Sequence, residues 1–338
     1  MCNKKYFQLV IPYSNLLYSI LYIMTMKSKY IITIIFVLIL IVLLFITFCK
    51  SWGLYIQEGA KNINSNIGNV LSQYFHHLII SILKKEDFNY TLPDEDFLNR
   101  FPSYLPYTFD DIRVKLLENG IDKNYFETVQ TLDVSTWCLK DNKSEKMWLI
   151  MKPLVQKIYD AAFNKTDVNT QVEYPVIHFR CADTPFVRQE QYHFQKYEFY
   201  KKALDNITKK IKKYDKVIIS YCNTHLSNKQ NQQKCDVYVN SLVDYLKSIG
   251  YDSILKCQTN IDDFAMIYYA PAVISPGSSY SFMSGFFGRG LFISAGHQDE
   301  GQSEFEGIGD WLYKGYNVMH SEVPDYYDSD NVIKLLSK

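Results

Sequence analysis

KVIISYCNTHLSNKQNQQKCDVYVNSLVDYLKSIGYDSILKCQTNIDDFAMIYYAPAVISPGSSYSF, Lys216 to Phe282, is the stretch whose reading decides the fold. KVIISYC (Lys216 to Cys222), DSILKC (Asp252 to Cys257) and AVIS (Ala272 to Ser275) are apolar runs of strand length. Between them, VYVNSLVDYLKSIG (Val237 to Gly250) and DDFAMIYYA (Asp262 to Ala270) read as helices, the first closed by Gly250. Upstream, PVIHF (Pro175 to Phe179) reads as a buried strand and YEFYKKALDNITKKIKKY (Tyr197 to Tyr214) as a helix. Downstream come a helix from Ser281 to Phe287 and the strand GLFISA (Gly290 to Ala295). Alternating strands and helices with short connections predict a parallel sheet covered on both faces over residues 173–338. Such a Rossmann-like unit binds its ligand at the carboxyl ends of the strands.

Three loops in the right places carry chemistry. HFRCAD (His178 to Asp183) leaves the PVIHF strand, and an arginine there can meet a phosphate with two parallel hydrogen bonds. The bland reading pairs Arg180 with Asp183. SPGSSYS (Ser275 to Ser281) joins a strand to a helix; Gly277 permits close backbone approach, and Ser278 and Ser279 offer hydroxyls and amides to an anion. Simple helix capping would use the same residues. INSNIGNV (Ile63 to Val70) is a Gly/Asn turn that feeds a helix, ordinary turn chemistry taken alone.

The helix behind that turn is amphipathic, with Ile67, Val70, Leu71, Tyr74, Phe75, Leu78, Ile79, Ile82 and Leu83 three and four apart and Lys84-Lys85 at its end. GLYIQ (Gly53 to Gln57) is a short strand candidate, and residues 87–150 carry Pro93, Pro102 and Pro106 without a clear period. Further upstream, YIITIIFVLILIVLLFITFC (Tyr30 to Cys49) holds 20 uncharged residues, enough for roughly 30 Å of hydrocarbon. It reads as a retained anchor, since no small-residue cleavage site follows. Lys4, Lys5, Lys27 and Lys29 precede it, which orients the N-terminus to the cytosol and the large domain across the membrane, a type II arrangement. The segment Tyr6 to Met26 is a poor second span, broken by Gln8, Pro12, Ser14, Asn15 and Ser19; initiation at Met26 would give a cleaner anchor.

The 338 residues carry 36 basic and 36 acidic side chains, so a broad electrostatic grip on nucleic acid is excluded. With 47% apolar residues, general disorder is excluded as well. Seven cysteines do not make a disulfide framework, and without CxxC no structural zinc site is expected. Cys222 and Cys235 are the candidate disulfide, while Asn89, Asn142, Asn164 and Asn206 begin glycosylation sequons. The lysines at 209, 210, 212, 213 and 216 read as a solvated face, and His76-His77 as packing residues.

Together the three loops resemble the α-1,2-fucosyltransferase family and its α-1,6- and protein O-fucosyltransferase relatives. INSNIGNVLSQYFHHLIISILKK (Ile63 to Lys85) is similar to the family's G-x-x-G-N-Q-x-x-Q-Y opening helix, with Gly68, Asn69, Gln73 and Tyr74 in register. HFRCAD with YHFQKYEFYKKALDNI (Tyr192 to Ile207) resembles its H-x-R-R-x-D motif and following helix. IDDFAMIYYAPAVISPGSSYSF (Ile261 to Phe282) resembles D-D-F-x-L-M-S…I-I-A-N-S-S-F-S-W. Cys181 stands for the second arginine, Val70 for the glutamine after Gly-Asn, and Gly277 and Phe282 for the usual Asn and Trp.

The resemblance implies a GT-B-like α/β fold, two Rossmann-like domains facing a cleft: a cytosolic tail over 1–29, the anchor over 30–49, an acceptor-side domain over 50–172 and a nucleotide-sugar domain over 173–338. It implies inverting transfer of fucose from GDP-fucose to a glycan hydroxyl, with no metal. Arg180 would neutralise the departing diphosphate; Gly277, Ser278, Ser279 and Ser281 would cradle it; Asp263, or its neighbour Asp262, would accept from the guanine edge. His178 would orient loop or nucleotide, Gly68 and Asn69 would close over phosphates or sugar, and Asp183 is the candidate base. The alternatives are another nucleotide-sugar donor on this scaffold, or an inactive membrane-anchored glycan-binding or structural protein.

Overall fold

The computed structural model of the chain describes residues 67–93, 97–125, 142–164, 171–181, 186, 194–222, 228–295, 310–311, 317–318, 322 and 325–338. The first helix, α1 (Ile67–Lys84), runs where the three-and-four spacing predicts it. It stops at Lys85, which turns left-handed at φ 59°, while the amide of Glu86 reaches back to Ser81 O at 3.0 Å and that of Lys85 to Ile82 O at 3.3 Å. These bonds satisfy carbonyls that a helix end leaves open. A short antiparallel pair follows, β1 (Phe88–Asn89) with β2 (Tyr104–Leu105), then α2 (Asp110–Glu118) and the long α3 (Asn142–Phe163).

The remaining elements alternate. They are β3 (Val176–His178), β4 (Phe194–Gln195), α4 (Tyr197–Lys210), β5 (Lys216–Ser220), α5 (Lys229–Ser248), β6 (Asp252–Lys256), α6 (Asn260–Tyr269) and β7 (Ala272–Ser275). A helical turn (Ser279–Ser281) and a π-helical turn (Phe282–Phe286) lead to β8 (Leu291–Ser294), β9 (Asp310–Trp311), β10 (Asn317–Val318) and α7 (Ser329–Leu336). Six strands form one parallel sheet in the order β6-β5-β3-β7-β8-β9. Counted along the chain, that is 3-2-1-4-5-6, the doubly wound order of dinucleotide-binding folds.

Alternation along each strand divides the core in two. Val176, Ile218, Val273 and Phe292 lie on the side of α6 and the π turn, in one cluster with α1 and α3, whereas Ile177, Val217, Ile219, Ile274 and Ile293 face α4, α5 and α7. Both faces are therefore dry, which is why these strands read as continuous apolar runs. The edge strand β6 is the exception, with Ile254 and Leu255 exposed at 36% and 46%.

The predicted elements from 175 to 295 are present with ends within a few residues, except that α5 starts at Lys229 and the 281–287 helix is mostly a π turn. Residues 64–338 form one compact unit. Among the described residues, 67–163 contribute helices and one antiparallel pair but no parallel strand, and α1 and α3 pack on the π turn and α6 of the following segment, Phe75 and Trp148 against Phe287 and Tyr159 against Phe264 and Tyr268. The apolar side of α1 is shared between that segment and its own, where Tyr74 packs on Phe88, Tyr90 and Phe101, so one continuous cluster joins residues 67–163 to the sheet-bearing part. The GLYIQ strand, the 30–49 run and the 6–26 segment lie outside the described residues. Among the described residues no helix is long and apolar enough to cross a membrane.

Candidate functional site

The chain winds one way from β3 to β5 and β6, and the other way from β7 to β8 and β9. Connections therefore leave the carboxyl ends of β3 and β7 on opposite sides, the reversal point at which open α/β sheets place a ligand crevice. Two of the three sequence motifs meet there. His178 is the last residue of β3 with half-buried Arg180 two residues beyond, and Ser275 ends β7 just before the Pro276-Gly277-Ser278 bend.

Gly277 takes φ +95°, a region where a side chain is strained. The bend is held by its own serines. Gly277 N–H donates to Ser275 Oγ at 3.2 Å, Ser275 and Ser281 hydroxyls meet at 2.7 Å, and Ser281 Oγ donates to Ser278 O at 3.3 Å. Ser278 caps the turn, its Oγ accepting from Tyr280 N at 3.3 Å. Ser281 is fully buried, so the expectation that it touches a ligand is corrected: its hydroxyl is committed within the fold. Ser278 is likewise a cap. Of the three serines expected to hold a ligand, only Ser279 is half-buried rather than buried.

The third motif arrives from α1. Gly68 lies so close under the bend that a Cβ there would sit 2.4 Å from Tyr280 N and 2.5 Å from Ser279 C. Its missing side chain serves this contact with the bend. Beside it, Asn69 Oδ1 is buried with no hydrogen-bond partner.

Tyr280, which sequence reading passes over, is where the pieces join. Its ring lies 5.6 Å from that of His178 and 5.4 Å from Phe264, and its hydroxyl donates to Asn260 O at 2.6 Å. The only sequence signal was an aromatic residue inside a serine turn. The Nδ1 of His178 is also buried without a partner. Burial, helped by the positive charge of Arg180, lowers the His178 pKa to about 3, so the imidazole is neutral.

Asp262 and Asp263 diverge at the start of α6. Asp263 is buried, takes Gln258 Nε2 at 3.2 Å and a bond from the Ser220 hydroxyl, and burial raises its pKa. Asp262 Oδ2 accepts from Thr259 Oγ1 at 2.6 Å, in a reciprocal cap with Thr259 accepting from Asp262 N at 3.3 Å. It also lines a cavity of about 210 Å³ with Tyr174, Ile218, Ile254, Lys256 and Gln258. The carboxylate presented to a cavity is thus Asp262 rather than the preferred Asp263. Asp183 lies outside the described residues. Among the described residues no cluster of three or more His, Cys, Asp or Glu is arranged to hold a metal ion.

The cysteines pair otherwise than expected, Cys181 with Cys235 and Cys222 with Cys257. Cys222 leaves β5 beside the end of β6, while Cys235 on α5 meets the end of β3; nearness along the chain misled the Cys222–Cys235 expectation. No family model, no curated protein and no solved structure matches the chain.

Proposed function

We propose that the chain is a type II membrane-anchored inverting glycosyltransferase that moves fucose from GDP-fucose to a glycan hydroxyl. The observation that carries this reading is the 3-2-1-4-5-6 sheet whose reversal point has an arginine on one rim and a Gly-Ser bend on the other. Crevices of this kind take nucleotides.

In this reading Arg180 and the Ser278-Ser279 amides neutralise the diphosphate as the sugar–oxygen bond breaks, charge stabilisation that is often the largest catalytic contribution. Asp262 receives N–H groups of the base. Asn69 Oδ1 and His178 Nδ1, buried and unpartnered, suit the hydroxyls of a sugar. Asp183 takes the proton of the acceptor hydroxyl as that oxygen attacks from the opposite face. The positive charge comes from Arg180, and no metal is called upon. A GT-B-like pairing belongs to this proposal too; its acceptor side would be built on α1 to α3 with residues outside those described. Two disulfides and the exposed sequon residues Asn89 and Asn164 suit an oxidising lumen, in line with the lysines before the anchor.

The test is hydrolysis of a panel of GDP- and UDP-sugars by the full chain in detergent. GDP-fucose turnover that falls about 100-fold or more in Arg180→Ala supports the reading. Turnover of a different donor moves the assignment to another sugar, and no nucleotide binding at all defeats the enzyme reading.

A further inference from the structure

The four cysteines paired among the described residues all lie at or beside the carboxyl edge of the sheet, the edge of the candidate site. Arg180 stands between two fixed points. On one side, Phe179 N–H donates to Ser220 O at 3.0 Å, directly after the last β3–β5 register pair, His178 with Ser220. On the other, Cys181 is bonded to Cys235 of α5, and both are buried. A residue held at both neighbours has little φ and ψ freedom left. Because the guanidinium sits at the end of a long side chain, even a small backbone rotation would carry it off a phosphate.

The neighbouring strands are finished in the same way. The β5–β6 register ends at Ser220 with Lys256, Tyr221 N–H donates to Lys256 O at 3.0 Å, and Cys222 and Cys257 then bond covalently. Here the bridge runs beside Asp263, with Cys222 Sγ 3.9 Å from its Oδ2.

We propose that the Cys181–Cys235 bridge is a positioning element that holds Arg180 at the diphosphate, so that opening it disables the donor site while the sheet stays folded. The proposal rests on the function given above. It differs from plain stabilisation, which a disulfide also supplies by restricting the unfolded chain. The distinguishing property is that its effect on ligand runs through Arg180.

The experiment uses the full chain in detergent and the double variant Cys181→Ala/Cys235→Ala, with Cys222→Ala/Cys257→Ala for comparison. One readout needs no ligand: amide hydrogen exchange at residues 179–181 rises about tenfold or more in the first variant, with 217–219 and 272–274 unchanged. Unchanged exchange at 179–181 overturns the proposal. The second is GDP affinity, weaker by about tenfold or more in the variant, with no further loss when the bridge is removed from an Arg180→Ala chain. An equal loss in the Arg180→Ala chain overturns it. If the native chain binds neither GDP nor UDP, the proposed function fails, and the exchange readout still decides the bridge. Should the double variant not fold, the native chain is titrated with dithiothreitol. Two electrons and two protons pass to the Cys181 and Cys235 sulfurs as the reagent closes to its cyclic disulfide. Exchange that then rises equally across the whole sheet overturns the proposal.

Discussion

Gly68 and the histidines His76 and His178 set the sharpest single-residue expectations. Gly68→Ala places a methyl group 2.4 Å from backbone rather than from a side chain that can rotate away. The variant should lose about 3 kcal/mol in urea unfolding, because α1 must lift from the serine bend; stability within about 0.5 kcal/mol of the native chain refutes the contact. His76 and His178 have pKa values lowered by burial to about 4 and about 3, with His77 adding to the effect on His76. The unfolded chain takes up protons near pH 6.5, and the folded chain does so only near 4 or below. Stability is therefore full above about pH 6.5 and falls as the pH drops toward 4, with a slope approaching about 1.4 kcal/mol per pH unit for each histidine. His76→Gln should flatten that slope in denaturation curves between pH 7.5 and 4.5; an unchanged slope argues against it. At this scale the sequence showed which residues would gather but not how they would be used. Ser281 and Gly68 were placed by motif, yet a hydroxyl turned inward and a glycine used for contact depend on neighbours far along the chain.

Helix α3 shows how one element secures another. From it, Lys152 Nζ donates to Phe286 O at 2.5 Å, and Gln156 Nε2 to Phe287 O at 3.0 Å and Gly288 O at 3.1 Å. These are carbonyls the π turn leaves open at its end, where a cation is also favoured. Asp160 adds an ion pair with Arg289 and accepts from Tyr268 OH at 2.9 Å. Gln156→Leu should cost about 2 kcal/mol by stranding two carbonyls, measured by urea unfolding. It should also raise amide exchange at 286–288, and an unaltered exchange pattern there contradicts the clamp. Strands and helices after residue 175 were legible because each carries its own period. Helix α3 was not, since Pro153 sits inside it and a proline in a helix interior normally signals a break. The π turn was hidden for a related reason: the carbonyls of Phe286, Phe287 and Gly288 accept from α3, and Arg289 N–H donates to Tyr268 O of α6, partners outside its own sequence.

For the whole molecule, the sheet order was legible only as far as parallel strands with helices on both faces; that β3 and β7 would be neighbours depends on packing across the sheet. The disulfides make a direct prediction. Of the seven cysteines, the four among the described residues are paired, so at most three should alkylate in the unreduced, denatured chain and seven after reduction, counted by intact mass; more than three before reduction refutes the pairing. In a type II arrangement Asn89 and Asn164 face the lumen, and glycosidase treatment should raise gel mobility in steps that Asn89→Gln and Asn164→Gln remove. No shift in a secretory-pathway host places the domain elsewhere. The strand order also dictates a sequence of events during synthesis. Both bridges close within residues 181–257, before β7 begins at Ala272. As the chain emerges from its N-terminus, β3, β5 and β6 can be oxidised and locked while the inner edge of β3 still waits for β7. The crevice is then a seam between an early half and a late half of the polypeptide, and a ribosome that stops short of residue 272 leaves that bare edge open to pairing with another chain.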